Sequence, residues 1–154
     1  MKTLKIFTIC LVISLGAFRT SAQEKLPLNQ PNYNKPKAFD DLPKKINVSI
    51  SDMESLFDFS VGSTVTAKLS QGFPFKGTIV SKSGNGKSQV QSIVINSITR
   101  KDAVLTFTKI RIEDGSFIYR GRVLNKGSID AYEIVKENDE YVLEKKNYYE
   151  MVRE

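Results

Sequence analysis

From Ser63 to the C-terminus, apolar and polar residues alternate with a period of two, and turn-forming residues interrupt the pattern at short, regular intervals. Such a pattern is typical of antiparallel sandwiches and barrels. It predicts seven strands, and no helical crossover interrupts them, so a meander is the simplest topology. The predicted fold is mainly β, a single antiparallel seven-stranded barrel or sandwich with short terminal helices, with strands near 63–69, 75–83, 88–99, 103–113, 116–125, 129–137 and 140–146.

A short helix is predicted before the first of these strands. Ser51 and Glu54 have the spacing of a capping box, in which each side chain satisfies an amide at the helix start. The apolar residues that follow have helical spacing and can cover one end of a sheet: Met53, Leu56 and Phe57. We interpret Asp52 and Glu54 as helix-start residues and not as catalytic groups.

The dipeptide Asp114-Gly115 is the strongest turn signal, because a two-residue type I′ turn requires positive φ at both central positions. A two-residue turn here would place Glu113 opposite Ser116 and would direct one set of side chains inward. That inward set comprises Thr106, Thr108, Ile110, Ile112, Phe117, Tyr119, Gly121 and Val123. The same register places Lys109 opposite Arg120 on the outer face.

Two like charges directly opposite each other need an acid or an anionic ligand nearby. Two-residue turns at 126–127 and 138–139 would supply the acids, in an outer row of Lys109, Arg120, Glu133 and Glu144. A solvated ladder of mixed charges explains this row, and an anion-binding site is the alternative.

A turn at Lys101-Asp102 would extend the outer face with an apolar patch. The predicted patch consists of Val94, Ile98, Leu105, Phe107 and Leu124, bordered by Arg111, Arg120 and Arg122. Exposed patches of this kind bind a partner or are covered by another part of the same chain. These eight residues are the candidate binding site. The helix near Met53 or residues 148–152 are the candidate covers.

The N-terminus has the anatomy of a secretory signal. Lys2 and Lys5 precede an uncharged, mostly apolar run over residues 6–18, and small residues follow. This run is shorter than the about twenty residues that a membrane-spanning helix needs, so we expect cleavage between Ala22 and Gln23 and no transmembrane segment afterwards. Attachment of a lipid to Cys10 is the alternative.

The predicted domain organisation is therefore a signal peptide over 1–22, a linker over 23–45 and an antiparallel β domain over 46–154. The linker carries four of the five prolines of the chain. Proline fixes φ and removes backbone donors, and the apolar residues of this segment are widely spaced, so we expect a disordered tether.

Cleavage of the signal would change the composition of the chain, and the mature composition excludes several classes of catalytic and metal site. The 23 Lys and Arg fall to 20 against 17 Asp and Glu, which leaves a net charge of +3 and does not indicate nucleic-acid binding. The chain has no His, and its one Cys would leave with the signal. Ser-His-Asp triads, Cys-His nucleophiles and thiolate or imidazole metal sites are thus excluded from the mature protein.

These observations favour an exported protein, periplasmic or secreted, that acts as a non-enzymatic binding or interaction module. We expect no catalytic residue, metal or cofactor, and a partner that is an envelope protein or an anionic ligand. A hydrolase that uses carboxylates such as Glu133 and Glu144 is one alternative. A structural accessory subunit of an envelope assembly is another.

Overall fold

The computed structural model describes residue 32, residues 34–70 and residues 72–151. Eight strands are present there: β1 (Lys45–Asn47), β2 (Thr64–Ser70), β3 (Phe73–Ser83), β4 (Val90–Ser97), β5 (Ala103–Arg111), β6 (Phe117–Asn125), β7 (Asp130–Glu137) and β8 (Glu140–Asn147). Two short α-helices, α1 (Ile50–Glu54) and α2 (Tyr148–Met151), and a 3-10 turn over Ser55–Asp58 complete these elements. The predicted signal peptide, with its Ala22–Gln23 cleavage site, and residues 23–31 of the linker lie outside the described residues.

All eight strands belong to one antiparallel sheet in the order β1-β8-β7-β6-β5-β4-β3-β2, which curls into a half-barrel. The predicted mainly β class is confirmed, and β2 to β8 follow one another as the predicted meander. The additional strand β1 pairs with β8 and is only three residues long, too short to show an alternating pattern in the sequence.

The hydrophobic core lies on the concave side of the sheet. Fully buried side chains from β4, β5 and β6 belong to the same core cluster as Met53 of α1: Ile93, Ile95, Leu105, Phe107 and Val123. The predicted helix is present, but Ser49 is its N-cap and accepts a hydrogen bond from the amide of Asp52 at 3.4 Å. Because the cap lies two residues earlier than predicted, Glu54 is free to reach the sheet.

Residues 34–44 lie in the second half of the predicted disordered linker, and they pack against the domain. The side chain of Phe39 is fully buried. The carboxylate of Asp130 accepts hydrogen bonds from the amides of Ala38 at 2.7 Å and Phe39 at 3.0 Å. The ammonium group of Lys145 donates to the carbonyls of Phe39 and Leu42, both at 2.6 Å. Side chains distant in sequence therefore order a segment whose local composition predicts disorder.

The predicted register of the β5–β6 hairpin was wrong by one residue. Arg111 pairs with Phe117 and Lys109 with Tyr119, so Lys109 does not oppose Arg120. The turn is longer than two residues: the amide of Gly115 donates to the carbonyl of Ile112, and the amide of Ile112 donates to the carbonyl of Ser116, both at 3.0 Å. A slip of one residue exchanges the two faces of a strand. Ile110 therefore points outward, and Leu105 and Phe107 point inward.

The loops on either side of this hairpin also differ from two-residue turns. Ile95, and not Ile98, lies opposite Leu105 across β4 and β5. Glu133 pairs with Arg122 instead of Arg120, a shift of two residues that keeps the faces of β6 as predicted. The predicted pairing of Glu133 with Glu144 across β7 and β8 is confirmed.

Candidate interaction surface

The predicted outer patch does not exist as one surface. Leu105 and Phe107 are fully buried in the core, and the Phe107 ring lies 5.8 Å from that of Tyr119 in a stacked arrangement. Phe107 also contacts the ring of Phe57, at 5.6 Å between centroids. Both residues are therefore core residues, because the β5 register directs them to the concave side.

The other six predicted binding residues are divided between several places. Val94, Leu124, Arg120 and Arg122 lie on the convex face, as predicted. Ile98 is 56% exposed in the loop between β4 and β5. Arg111 lies at the end of β5, where its guanidinium carbon is 5.2 Å from the centre of the Phe117 ring.

The convex face carries a row of aliphatic residues; the sequence predicted an outward position for Ile118 but directed Ile110 and Ile112 inward. Val90 pairs with Ile110, and Ile110 pairs with Ile118, so the three side chains lie side by side across β4, β5 and β6. Val90 is 47% exposed, and Ile112, two residues beyond Ile110, is 37% exposed. We call Val90, Ile110, Ile112 and Ile118 the apolar row.

A polar row lies next to the apolar row on the same three strands. Ser92 pairs with Thr108, and Thr108 pairs with Arg120. The hydroxyl groups of Ser92 and Thr108 are 3.1 Å apart and share a hydrogen bond. Arg120 is exposed, and its guanidinium forms no ion pair within residues 32, 34–70 and 72–151. The polar row thus presents a cation that is paired with no acid of the described residues.

The next row is a ladder of mixed charges, in which Glu133 is the central acid. The guanidinium of Arg122 donates to Glu133 from Nε at 3.0 Å and from Nη2 at 2.9 Å, and Lys146 lies 3.0 Å from the other carboxylate oxygen. Burial raises the pKa of Glu133, but the hydrogen bonds from Lys146 and Arg122 outweigh it and hold this pKa below its usual value. The predicted ladder thus contains Glu133 and Glu144, with Arg122 in place of Arg120, and Lys109 is not part of it.

A groove of about 560 Å³ lies where these rows approach β7. Strands β6 and β7 pair at only two positions, Arg122 with Glu133 and Val123 with Tyr132. Gly121 lies beside this short pairing, and a Cβ atom there would come within 2.7 Å of both the Thr106 carbonyl oxygen and Cδ1 of Ile134. The groove is lined by Thr106, Thr108, Arg120, Gly121, Arg122, Glu133 and Ile134.

A second polar cluster lies on the concave side and joins α1 to the sheet. The Glu54 carboxylate forms an ion pair with Lys109 and accepts a hydrogen bond from the Tyr119 hydroxyl at 2.7 Å. Burial raises the pKa of Glu54, but the bonds from Lys109 and Tyr119 leave it below its usual value. Burial and the Glu54 hydrogen bond raise the pKa of Tyr119 far above its usual value. These three side chains satisfy one another's hydrogen-bonding capacity, and their contacts hold α1 against the sheet.

The part of the chain that the structure describes contains neither a cluster of metal ligands nor a membrane-spanning helix. No group of three or more His, Cys, Asp or Glu side chains is arranged there to hold a metal ion. The helices of the same residues are too short and too polar to cross a membrane.

The fold and the convex surface together define an antiparallel half-barrel with a partly exposed aliphatic row beside an arginine that forms no ion pair with the described residues. Comparisons with protein-family models, with curated proteins and with solved structures found no match to this chain.

Proposed function

We propose that the protein is an exported, non-enzymatic binding module of the cell envelope or extracellular space, and that a partner protein docks on the apolar row. The observation that carries this proposal is the register of β4, β5 and β6, which lines up Val90, Ile110 and Ile118 on the convex face. This face of the sheet lies opposite the core.

Val90 and Ile112 are exposed and Ile110 and Ile118 are half-buried, and contiguous aliphatic groups of this kind favour association, because burial of apolar surface is worth about 25 cal/mol per Å². Interfaces commonly combine such an apolar centre with arginine at its border. Arg120 lies directly beside Ile118 along β6, at the position that a border residue would occupy. The matching partner surface is apolar with an acidic group beside it.

The carboxylate-dependent hydrolase is less well supported. Glycosidases hold two carboxylates on opposite sides of the scissile bond, about 5 Å or more apart. Glu133 and Glu144 are direct neighbours across β7 and β8, and Glu133 is already bound to Arg122 and Lys146. An accessory subunit of an envelope assembly would use the same docking surface, and its complex would have a fixed stoichiometry.

Site-specific photo-crosslinking tests the docking surface. A photoreactive phenylalanine analogue replaces Ile112 in one protein and Val61 in a control, since Val61 is a 57% exposed aliphatic residue outside the apolar row. In the native envelope fraction, we expect a discrete crosslinked partner from position 112 and none from position 61. The double variant Val90→Ser/Ile112→Ser should lose the partner in a pull-down. Equal crosslinking from both positions would contradict the proposal.

A further inference from the structure

The groove lined by Arg120, beside the apolar row, indicates which chemical group of the partner binds there. We propose that Arg120 binds the carboxylate of an acidic side chain in the partner, while an aliphatic side chain of the same segment packs on the apolar row. This inference rests on the proposed function and specifies the chemistry of the docking segment.

Arg120 is the cation best placed for this role. Arg122 and Lys146 are both engaged by Glu133, at 2.9 Å and 3.0 Å. Arg120 lines the groove, is exposed and has no acid bound to it within the described ranges. A guanidinium group offers a planar fork of donors that matches the two oxygens of a carboxylate. The hydroxyl of Thr108 lines the same groove and can donate to a bound oxygen.

The charges around the groove favour a carboxylate over a phosphate. Glu133 also lines the groove, and its pKa is held below its usual value, so it is ionised at neutral pH. The charged residues that line the groove, Arg120, Arg122 and Glu133, sum to one net positive charge, which a carboxylate matches and which the about −1.5 to −2 charges of a phosphate monoester at pH 7 exceed. One free guanidinium neutralises one carboxylate.

Strand geometry sets the spacing of the two partner groups. Ile118 and Arg120 are two residues apart on β6, so their side chains emerge from the same face about 7 Å from each other. Ile110 and Thr108 repeat this spacing on β5. An extended segment in which an acidic residue and an aliphatic residue are two positions apart has the same separation. The partner should therefore present an acidic-x-aliphatic or aliphatic-x-acidic sequence.

Two capped peptides test this inference, acetyl-Ile-Thr-Glu-Thr-Ile-amide and the same peptide with Gln in place of Glu. Each is titrated into the ¹⁵N-labelled mature chain, and the backbone amide resonances are followed. We expect shifts within residues 106–110 and 118–122, and binding of the Glu peptide about three- to fivefold tighter, which is the size of an exposed ion pair. Arg120→Gln should remove this preference. Lys76→Gln, which removes an exposed cation of β3, should keep it.

The outcomes separate this inference from the proposed function. Equal binding of the two peptides, together with weaker binding of both to Ile112→Ser, would overturn the carboxylate site and leave docking on the apolar row intact. Failure of both peptides to bind would overturn the inference. Loss of the position-112 crosslink would overturn the proposed function. If inorganic phosphate causes the same resonance shifts, and Arg120→Gln abolishes them, the groove is a phosphate site. That result would overturn the proposal that Arg120 binds a carboxylate. If the protein sediments with phosphatidylglycerol vesicles and Arg120→Gln does not, the groove binds a membrane surface, which would also overturn the proposal.

Discussion

The amide of Gly115 donates a hydrogen bond to the carbonyl oxygen of Ile112 at 3.0 Å. Gly115 has a φ of 84°. The turn that it closes is one residue longer than a two-residue hairpin turn. This extra residue decides which side chains of β5 enter the core. It places Phe107 among the core residues and Ile110 on the convex face, and so it creates the apolar row.

Gly115→Val should therefore destabilise the protein. A β-branched residue at positive φ is strained by about 1–3 kcal/mol, and relief of that strain would disturb the β5–β6 register. Thermal melts followed by circular dichroism measure the loss. Gly86→Val is the matched control, because Gly86 has open space around its Cβ position and is not among the positive-φ glycines. Equal midpoints for the two variants would show that the turn does not set the register.

Gly121→Ala tests the close approach of β5, β6 and β7. The added methyl group would lie 2.7 Å from the carbonyl oxygen of Thr106, which cannot move without disturbing β5. Overpacking of this kind costs about 1–3 kcal/mol. Denaturant unfolding should show this loss for Gly121→Ala, whereas Gly127→Ala should unfold near the wild-type midpoint, since its nearest neighbour is 3.8 Å away.

Phe107→Ser should be strongly destabilising, because the residue is fully buried between Phe57 and Tyr119. Removal of a buried Phe costs about 3–5 kcal/mol, and a serine hydroxyl in its place adds a polar group to the core. Val90→Ser, at a 47% exposed position of the apolar row, should change the free energy of unfolding by only about 0.5 kcal/mol. A stable Phe107→Ser variant would contradict the inward orientation of this residue.

The Glu54 cluster should make stability depend on acid pH. The folded-state pKa of Glu54 lies below the ordinary value of 4.5, so its carboxylate stabilises the fold above that value. This contribution is lost as the pH falls through the folded-state pKa. Urea unfolding between pH 6 and pH 2.5 should show a shallower decline for Glu54→Gln than for wild type. Glu113→Gln, a change in the exposed β5–β6 turn, should retain the wild-type slope.

Export is tested by the mass of the native protein. We expect a mature chain that begins at Gln23, because the charge pattern and the small residues before it are those of a cleaved secretory signal. Intact-mass spectrometry of the protein from its native compartment decides this. A chain that retains Met1 would contradict export by cleavage, and a lipid adduct on Cys10 would establish a lipoprotein instead.

The alternation of apolar residues predicts strands well but does not report loop length. The strands from Thr64 to Asn147 were predicted to within a few residues, because their period-two pattern extends over several residues each. The faces of β5 were wrong because Asp114-Gly115 is compatible with turns of different length, and one residue more exchanges inside and outside. The convex row of Val90, Ile110 and Ile118 therefore could not be found from the pattern alone.

Long-range polar contacts explain why residues 34–44 are ordered although their composition predicts a disordered linker. Residues 34–44 contain few apolar groups, and their order depends on Asp130 and Lys145, about one hundred positions away in the sequence. Local composition cannot report contacts of this kind. The sequence did, however, identify Arg120 and Arg122 as outward-facing residues, because the two-residue error in the β6–β7 loop preserves the faces of β6.

The short pairing of β6 with β7 divides the sheet into two ribbons, one of β2 to β6 and one of β7, β8 and β1. Neighbouring ladders such as β4–β5 pair over seven positions, so the β6–β7 seam is where the sheet can flex most readily. Residues 118–121 still pair with β5, so we expect only those of their amides that point toward β7 to exchange with solvent hydrogen faster than the amides of β4. A segment that crosses this seam would join the two ribbons, so that occupancy of the groove would also stiffen the sheet.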